Sequence, residues 1–249
     1  MADLDRRYAQ GTAVGRAEVI DQGLRAYMLR VYNYMASGVA ITGVVAWLIY
    51  SMSVVQGATG LELTSFGQFM YASAFKWVVI FAPLAMVFFI SARIGSLSLS
   101  AAQLSFWIFA ALMGASISSI FLVYAGESIA RVFFITAASF GALSLWGYTT
   151  SKDLSGWGSF LFMGLIGIII AMLVNLFIGS TALQFAISVI GVLVFAGLTA
   201  YDTQSIKEMY YAGDDGTVAG RKAVMGALRL YLDFINLFMM LLSLFGDRR

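Results

Sequence analysis

The chain has 249 residues and a formal net charge of +2, and apolar residues make up 61% of it while charged residues make up 11%. Soluble domains average about 45–50% apolar and about 25% charged residues, so these values exclude a soluble fold. The chain has no cysteine and no histidine, which excludes disulfides, zinc sites of the usual kind, imidazole proton relays and Ser-His or Cys-His catalysis. Composition therefore predicts a polytopic protein of a lipid bilayer that needs no cofactor and binds no nucleic acid.

The polar residues 1–20 predict a cytoplasmic tail. Seven apolar runs follow, each long enough to cross the hydrocarbon core as a helix. Their approximate bounds are 25–55, 71–91, 102–124, 128–149, 157–178, 183–206 and 223–245. Open strands cannot cross lipid, and short loops make consecutive helices antiparallel neighbours. We therefore expect an all-α transmembrane bundle of seven helices, forming one domain over residues 21–249.

Lysine and arginine predict the orientation of the bundle. Ten of them precede the first span, lie at its start or lie in loops on the same side, four lie on the opposite side, and Arg229 falls within the last span. Basic residues are enriched on the cytoplasmic side of membrane proteins. We therefore expect a cytoplasmic N-terminus and, after seven spans, a C-terminus outside.

Three small residues, Ala110, Gly114 and Ser118, are spaced four apart on the third span. This spacing places them on one face of a helix, where small side chains let two backbones approach closely. The ridge predicts a helix–helix contact rather than a ligand site.

The last span carries a carboxylate, Asp233, deep in its apolar run. A charge at that depth costs at least about 2.5–3.5 kcal/mol, so another part of the protein must compensate it. Span six ends at the side of the membrane from which span seven returns, which brings Asp202 to a similar depth. Arg93 ends span two on the same side. We therefore expect Asp202, Asp233 and Arg93 to meet in the inner half of the bundle.

Two carboxyl groups in a low dielectric tend to hold one proton between them. Protonated, Asp202 and Asp233 would tie spans six and seven by a hydrogen bond; deprotonated, they would repel and Arg93 could compensate the charge. With Asn236 one turn from Asp233, the same oxygens would offer hard ligands to a passing Ca²⁺. This interpretation predicts a pH-sensing gate beside an ion path, with transient metal contact at Asp202 and Asp233.

Structural roles compete with each of these assignments. Arg229 lies four residues before Asp233 and could pair with it along one helix. Asp202 could be an ordinary carboxylate at a helix end, and Arg93 could extend to lipid head groups. Asn236, like Asn175 in span five, could serve as an interhelical hydrogen-bonding group. Sequence alone leaves open whether Arg93 or Arg229 neutralises the aspartates.

Three stretches of the chain resemble the Bax inhibitor-1 (TMBIM) family in its bacterial form: Ala200–Lys207, Leu230–Phe238 and Ser144–Leu154. The N-terminal run Ile20–Met28 is similar to bacterial members as well. The resemblance implies six helices around a central C-terminal helix, and a pH-sensitive calcium leak gated by an aspartate pair that matches Asp202 and Asp233. It further implies that Arg93 matches the arginine that exchanges with the proton, and that the protein lies in the bacterial inner membrane.

Two other functions compete with a proton-gated cation leak that passes Ca²⁺ and senses H⁺. The first is a regulatory protein that binds a membrane AAA protease or another membrane complex through the tail at residues 1–20, as one enterobacterial relative restrains such a protease. The second is an intramembrane aspartic protease, in which paired carboxylates activate water. The glycine-flanked aspartate of those enzymes is missing, because Asp202 lies between Tyr201 and Thr203. We therefore do not expect an enzyme.

Overall fold

The structure, a computed structural model, describes the backbone of residues 2–57 and 60–249, and the side chains of residues 22–57 and 60–249. The tail predicted at residues 1–20 falls outside the part of the chain whose side chains are described. In chain order the elements are α1 (Ala2–Ser53), the strands β1 (Val54–Gly57) and β2 (Gly60–Leu63), α2 (Ser65–Gly67) with a π-helical turn (Gln68–Ala72), α3 (Phe75–Arg93), α4 (Leu99–Ile117), α5 (Ile120–Val123), α6 (Gly126–Thr149), α7 (Ser155–Ile178), α8 (Thr181–Glu208) and α9 (Gly216–Phe245).

Seven segments of the described chain are helical, long and apolar enough to cross a membrane, which confirms the predicted all-α fold. They are Gln22–Ser53, Phe75–Arg93, Leu99–Val123, Gly126–Thr149, Ser155–Ile178, Thr181–Glu208 and Gly216–Phe245. The last span begins seven residues before the expected position 223, because Asp215 caps the helix. Its carboxylate accepts the backbone N–H groups of Thr217 and Val218 at 2.8 and 2.7 Å. Hydropathy misses this start because Arg221 and Lys222 interrupt the apolar run in the second turn.

The residues after α1 form an antiparallel hairpin instead of continuing the helix to residue 55. In this hairpin Val54 pairs with Leu63, and Gly57 pairs with Gly60. The hairpin marks one end of the bundle, which we call the hairpin end. The opposite end, which we call the basic end, carries Arg93, Lys152, Lys207, Arg221 and Lys222.

The C-terminal helix α9 is the centre of the bundle. In its most apolar window 61% of the residues are buried, against 11–33% in the other six spans. It packs against α1, α4, α6 and α8, while α3 packs mainly on α4 and α7 mainly on α8. Four helices thus form a first layer around α9, and two complete the bundle from outside.

The small-residue ridge of α4 packs against α1. A Cβ atom on Gly114 would lie 2.6 Å from the backbone oxygen of Thr42, and Ala110 is fully buried. The hydroxyl of Thr42 donates to the backbone oxygen of Ala110 at 2.8 Å and accepts from the hydroxyl of Tyr231 at 2.6 Å. These bonds fix α1 and α4 against the central helix.

Candidate functional site

Asp233 lies near the middle of α9 and is only 5% exposed. Its Oδ2 atom is buried and has no hydrogen-bond partner among the described residues. The carboxyl group of Asp202 on α8 lies beside it, close enough for a side-chain interaction between the two. We call these two residues the aspartate pair. A carboxyl group buried at this depth of a membrane protein is costly, so the surrounding packing must hold it there.

The packing of α8 on α9 brings the aspartate pair together. The two helices are antiparallel and touch at close contacts on either side of the pair: Gly191 meets Met240 toward the hairpin end, and Gly226 meets Ile206 toward the basic end. Small residues at these two points allow the helix axes to approach. The carboxyl groups between them therefore face each other across a narrow interface.

Arg229 is the cation that acts on the aspartate pair. It lies one turn before Asp233 on α9, and its charge is within electrostatic range of both carboxyl groups. The ion pairs among the described residues are Arg131–Asp247 and Lys222–Asp214, so Arg229 makes no direct ion pair with either aspartate there. The positive charge of Arg229 therefore acts on the pair through space rather than through a direct ion pair.

Arg93 lies apart from the aspartate pair in this structure. It is exposed at the basic end of α3, and two residues later the backbone oxygen of Gly95 accepts a hydrogen bond from Arg221. Arg221 precedes Asp233 by twelve residues of α9, which is about 18 Å along the helix. The expected meeting of three residues is therefore made by Asp202, Asp233 and Arg229, and an exchange of Arg93 with the proton stays a prediction.

Asn236 lies one turn after Asp233 and is half-buried. Its amide nitrogen donates to the backbone oxygen of Leu232 at 2.8 Å, which ties the side chain to its own helix. Among the described residues, no cluster of three or more carboxylate, histidine or cysteine side chains could hold a metal ion. Any contact of a metal with the aspartate pair and Asn236 would therefore involve at most two carboxylates.

One face of α9 is less buried than the rest and connects the aspartate pair with the hairpin end. Its half-buried residues recur at helical spacing: Met225, Arg229, Leu232, Asn236, Met239 and Ser243. We call this set the α9 stripe. At its far end the hydroxyl of Ser243 is 2.9 Å from that of Ser188 and 3.4 Å from the amide nitrogen of Gln184.

A polar cavity of about 280 Å³ opens at that end of the α9 stripe. Its lining includes Asn175, Ser180, Gln184, Ser243 and Arg248. Asn175 donates to Gln184 at 3.2 Å and accepts the backbone N–H of Ser180 at 3.0 Å, so it stabilises the α7–α8 turn. The bond to Gln184 confirms the role of Asn175 as an interhelical hydrogen-bonding group. Sequence reasoning missed the other members, although the spacing of Gln184 and Ser188 in an otherwise apolar span could have indicated them.

A buried tyrosine near the basic end also escaped sequence analysis. The hydroxyl of Tyr27 on α1 is buried and has no hydrogen-bond partner among the described residues, and its ring lies 5.7 Å from that of Tyr210. The charges of Arg229 and Asp214 both act on it. A tyrosine in an apolar helix is usually a core residue, so the sequence alone does not indicate this arrangement.

Comparison with known proteins identifies the chain. The family described as inhibitor of apoptosis-promoting Bax1 matches residues 24–249. The inner membrane protein YbhL of Escherichia coli K12 is 47% identical over 91% of this chain and 94% of its own length. The protein RP147 of Rickettsia prowazekii is 46% identical over 96% of both chains, and a Caulobacter vibrioides protein is 44% identical over the full length of both. The chain belongs to the Bax inhibitor-1 family.

This membership confirms the family predicted from the motifs that contain Asp202 and Asp233. The match begins two residues into the first span, at residue 24, and includes the other six spans in full. The Escherichia coli relative is named an inner membrane protein, and the seven spans agree with a bilayer location for this Bax inhibitor-1 family member.

Proposed function

We propose that this Bax inhibitor-1 family member is a pH-sensitive cation leak that passes Ca²⁺ and is gated by the aspartate pair. The observation that carries the proposal is the burial of the Asp233 carboxyl group on α9, the most buried of the seven spans, beside the carboxyl group of Asp202 on α8. A group this costly in the centre of a membrane protein is a functional site by default.

The gate works through charge repulsion. Two unit charges 4 Å apart at an effective dielectric constant of 20 repel by about 4 kcal/mol. That energy is comparable to the few kcal/mol that separate two conformations of one protein. When the aspartate pair shares a proton, a hydrogen bond holds α8 against α9. When the proton leaves, repulsion separates the two helices, and Arg229 stabilises the remaining charge.

The α9 stripe supplies the path for the ion. From the polar cavity at the hairpin end, a cation would pass Ser243 and Asn236 before it reaches the aspartate pair. Hydroxyl, amide and carboxylate oxygens are the ligands that Ca²⁺ prefers. Because the apolar Met239 and Leu232 alternate with these polar residues, no position on the stripe gathers enough oxygens to retain the ion.

The proposed orientation places the basic end in the cytoplasm of a bacterial cell and the hairpin end outside the inner membrane. Ten of the lysines and arginines lie on the side of the N-terminus and four on the other side. Ca²⁺ would then enter from the outside through the polar cavity, and the C-terminus would lie outside.

Purified protein in liposomes that contain a calcium dye tests the proposal. We expect the wild-type flux to rise from acidic to mildly alkaline pH, and the Asp233→Asn and Asp202→Asn variants to lose that dependence. Asp153→Asn makes the same change in the exposed α6–α7 loop and serves as the matched control. Because no other protein is present, a wild-type flux equal to that of empty liposomes contradicts a leak, and Asn variants that follow wild type at every pH contradict the gate.

A further inference from the structure

A long groove runs between α1 and α6, with α9 as its floor. Toward the basic end it forms a cavity of about 820 Å³ whose lining includes Arg25, Tyr148 and Phe234. A second cavity of about 470 Å³ continues it toward the hairpin end as far as Ala46 on α1. The two cavities share Val39, Ala40, Phe133 and Phe234. We call them together the α1–α6 groove.

The length of the groove matches the thickness of the hydrocarbon core of a bilayer. From Arg25 to Ala46 there are 21 residues of α1, which cover about 31 Å, and the hydrocarbon core measures about 30 Å. Of the few polar groups along it, the hydroxyls of Tyr32 and Ser144 bond to each other at 2.7 Å, and Thr42 bonds to Ala110 and Tyr231. The interior therefore offers apolar contact to whatever fills it.

The shape of the groove suits a narrow, apolar occupant. The larger cavity extends along residues 25–40 of α1, about 22 Å, and has a volume of about 820 Å³. A hydrocarbon chain is one methylene wide and extends along the membrane normal, as the groove does. The groove thus fits the acyl chain of a lipid.

Two cations flank the mouth of the groove at the basic end. Arg25 lines the mouth directly and is exposed. The ammonium group of Lys207 lies 5.5 Å from the ring centre of Tyr148, another lining residue, and donates to that residue's backbone oxygen at 2.9 Å. Basic residues at this level of a membrane attract anionic head groups.

We propose that the α1–α6 groove binds one acyl chain of an anionic phospholipid, and that Arg25 and Lys207 hold the phosphate of its head group. The hydrocarbon of the chain covers Leu29 and Leu145, which line the groove and are 52% and 63% exposed, and the half-buried Phe133 between α1 and α6. The proposal does not rest on the aspartate gate, because neither member of the aspartate pair lines the groove.

Native mass spectrometry tests the proposal on full-length protein extracted from vesicles of phosphatidylglycerol or of phosphatidylcholine. We expect wild type to retain one phosphatidylglycerol in preference to phosphatidylcholine. Arg25→Gln should lower that retention by about fivefold, the effect of one basic residue near a membrane surface. Arg30→Gln is the matched control, because Arg30 is also exposed on α1 but does not line the groove.

A second pair of variants tests the acyl chain itself. Gly141 lines the groove and Gly167 lies on the outer helix α7; a Cβ atom at either position meets nothing within 4 Å, so both positions accept a larger side chain. Gly141→Trp should fill the groove and abolish retention of both lipids, while Gly167→Trp should retain them. An equal loss of lipid retention in both variants, or unchanged lipid retention in Gly141→Trp, overturns the proposal of an acyl-chain site. Loss of a complex with a second copy or another membrane protein in Gly141→Trp, with lipid retention intact, assigns the groove to a helix and overturns the proposal as well.

Discussion

The hydroxyl of Tyr32 on α1 lies 2.7 Å from the hydroxyl of Ser144 on α6, across the basic end of the α1–α6 groove. Ser144 lies in turn 2.9 Å from Thr203 on α8, whose own proton goes to the backbone oxygen of Thr199 at 2.7 Å. Because the hydroxyl proton of Thr203 is already donated to Thr199, Ser144 must donate to Thr203, and Tyr32 must donate to Ser144. These hydrogen bonds join α1, α6 and α8, and the last of them ends at Thr203, which directly follows Asp202.

Substituting Tyr32, at the end of this chain of hydrogen bonds, should lower the free energy of unfolding less than substituting Ser144, at its centre. Tyr32→Phe deletes one donor and leaves the bond from Ser144 to Thr203, so we expect a loss of about 0.6 kcal/mol in the free energy of unfolding, the average for such bonds in membrane proteins. Ser144→Ala breaks both bonds and should cost more. Unfolding in mixed micelles measures both, and the double variant should cost no more than Ser144→Ala alone. A double variant whose cost is the sum of the two single costs would show that the hydroxyls act independently.

Arg229 should set the pH at which the proposed gate opens. Because its positive charge stabilises the deprotonated aspartate pair, Arg229→Gln makes loss of the proton harder. The midpoint of the calcium flux should therefore move to higher pH. The liposome assay with calcium dye measures this midpoint at matched protein density.

Arg93→Gln is the control for that change, because it removes the same charge from the same end of the bundle at an exposed site. Its midpoint should stay close to that of wild type. If Arg93→Gln moves the midpoint and Arg229→Gln does not, then Arg93 reaches the aspartate pair in a second conformation, as the family resemblance implies, and the arrangement described here is not the one that titrates.

The α6–α7 loop holds a carboxylate whose titration follows directly from its hydrogen bonds. The side chain and backbone of Ser155 hold the pKa of Asp153 below its usual value. A lowered pKa in the folded state means that the interaction stabilises the fold at neutral pH and is lost as the pH falls through that lowered value. Ser155→Ala should therefore raise the pKa of Asp153 toward its usual value, as followed by carboxyl carbon-13 shifts. A titration that is unchanged in this variant would assign the shift to another group.

Sequence reasoning placed Asp202 and Asp233 at one depth for a sound physical reason. They lie on consecutive antiparallel helices, so the short connection between α8 and α9 nearly determines their relative level. The same reasoning failed to separate Arg93 from Arg229, because the level of α3 relative to α9 depends on packing through α4. Distance along the chain predicts the relative depth of two residues in the membrane well when their helices are consecutive. It predicts this depth poorly when the two helices are connected only by packing on a third helix.

Two other features could not be predicted from the sequence at all. The partners of the hydroxyl chain, Tyr32, Ser144 and Thr203, are 112 and 59 residues apart, and isolated hydroxyls in apolar spans look like packing residues. The α1–α6 groove lies between two helices that meet at the Tyr32–Ser144 hydrogen bond and leave a cavity of about 820 Å³ between them. Hydrophobic patterns indicate which residues avoid water, but they do not distinguish a side chain that faces another helix from one that faces lipid.

The crossing of α6 and α8 beside this hydroxyl chain depends on the absence of one side chain. A Cβ atom on Gly147 would lie 2.3 Å from the backbone oxygen of Ala200, and a backbone atom cannot move aside as a side chain can. Gly147→Ala should therefore push the helices apart and cost about 1–3 kcal/mol of unfolding free energy. Gly141→Ala makes the same change six residues earlier on α6, where the Cβ atom meets nothing within 4 Å, and should stabilise the helix by about 0.5–1 kcal/mol. The two variants are expected to shift the thermal midpoint in opposite directions; a shift of the same sign in both would mean that helix propensity, and not the close approach of α6 to α8, governs this part of the bundle.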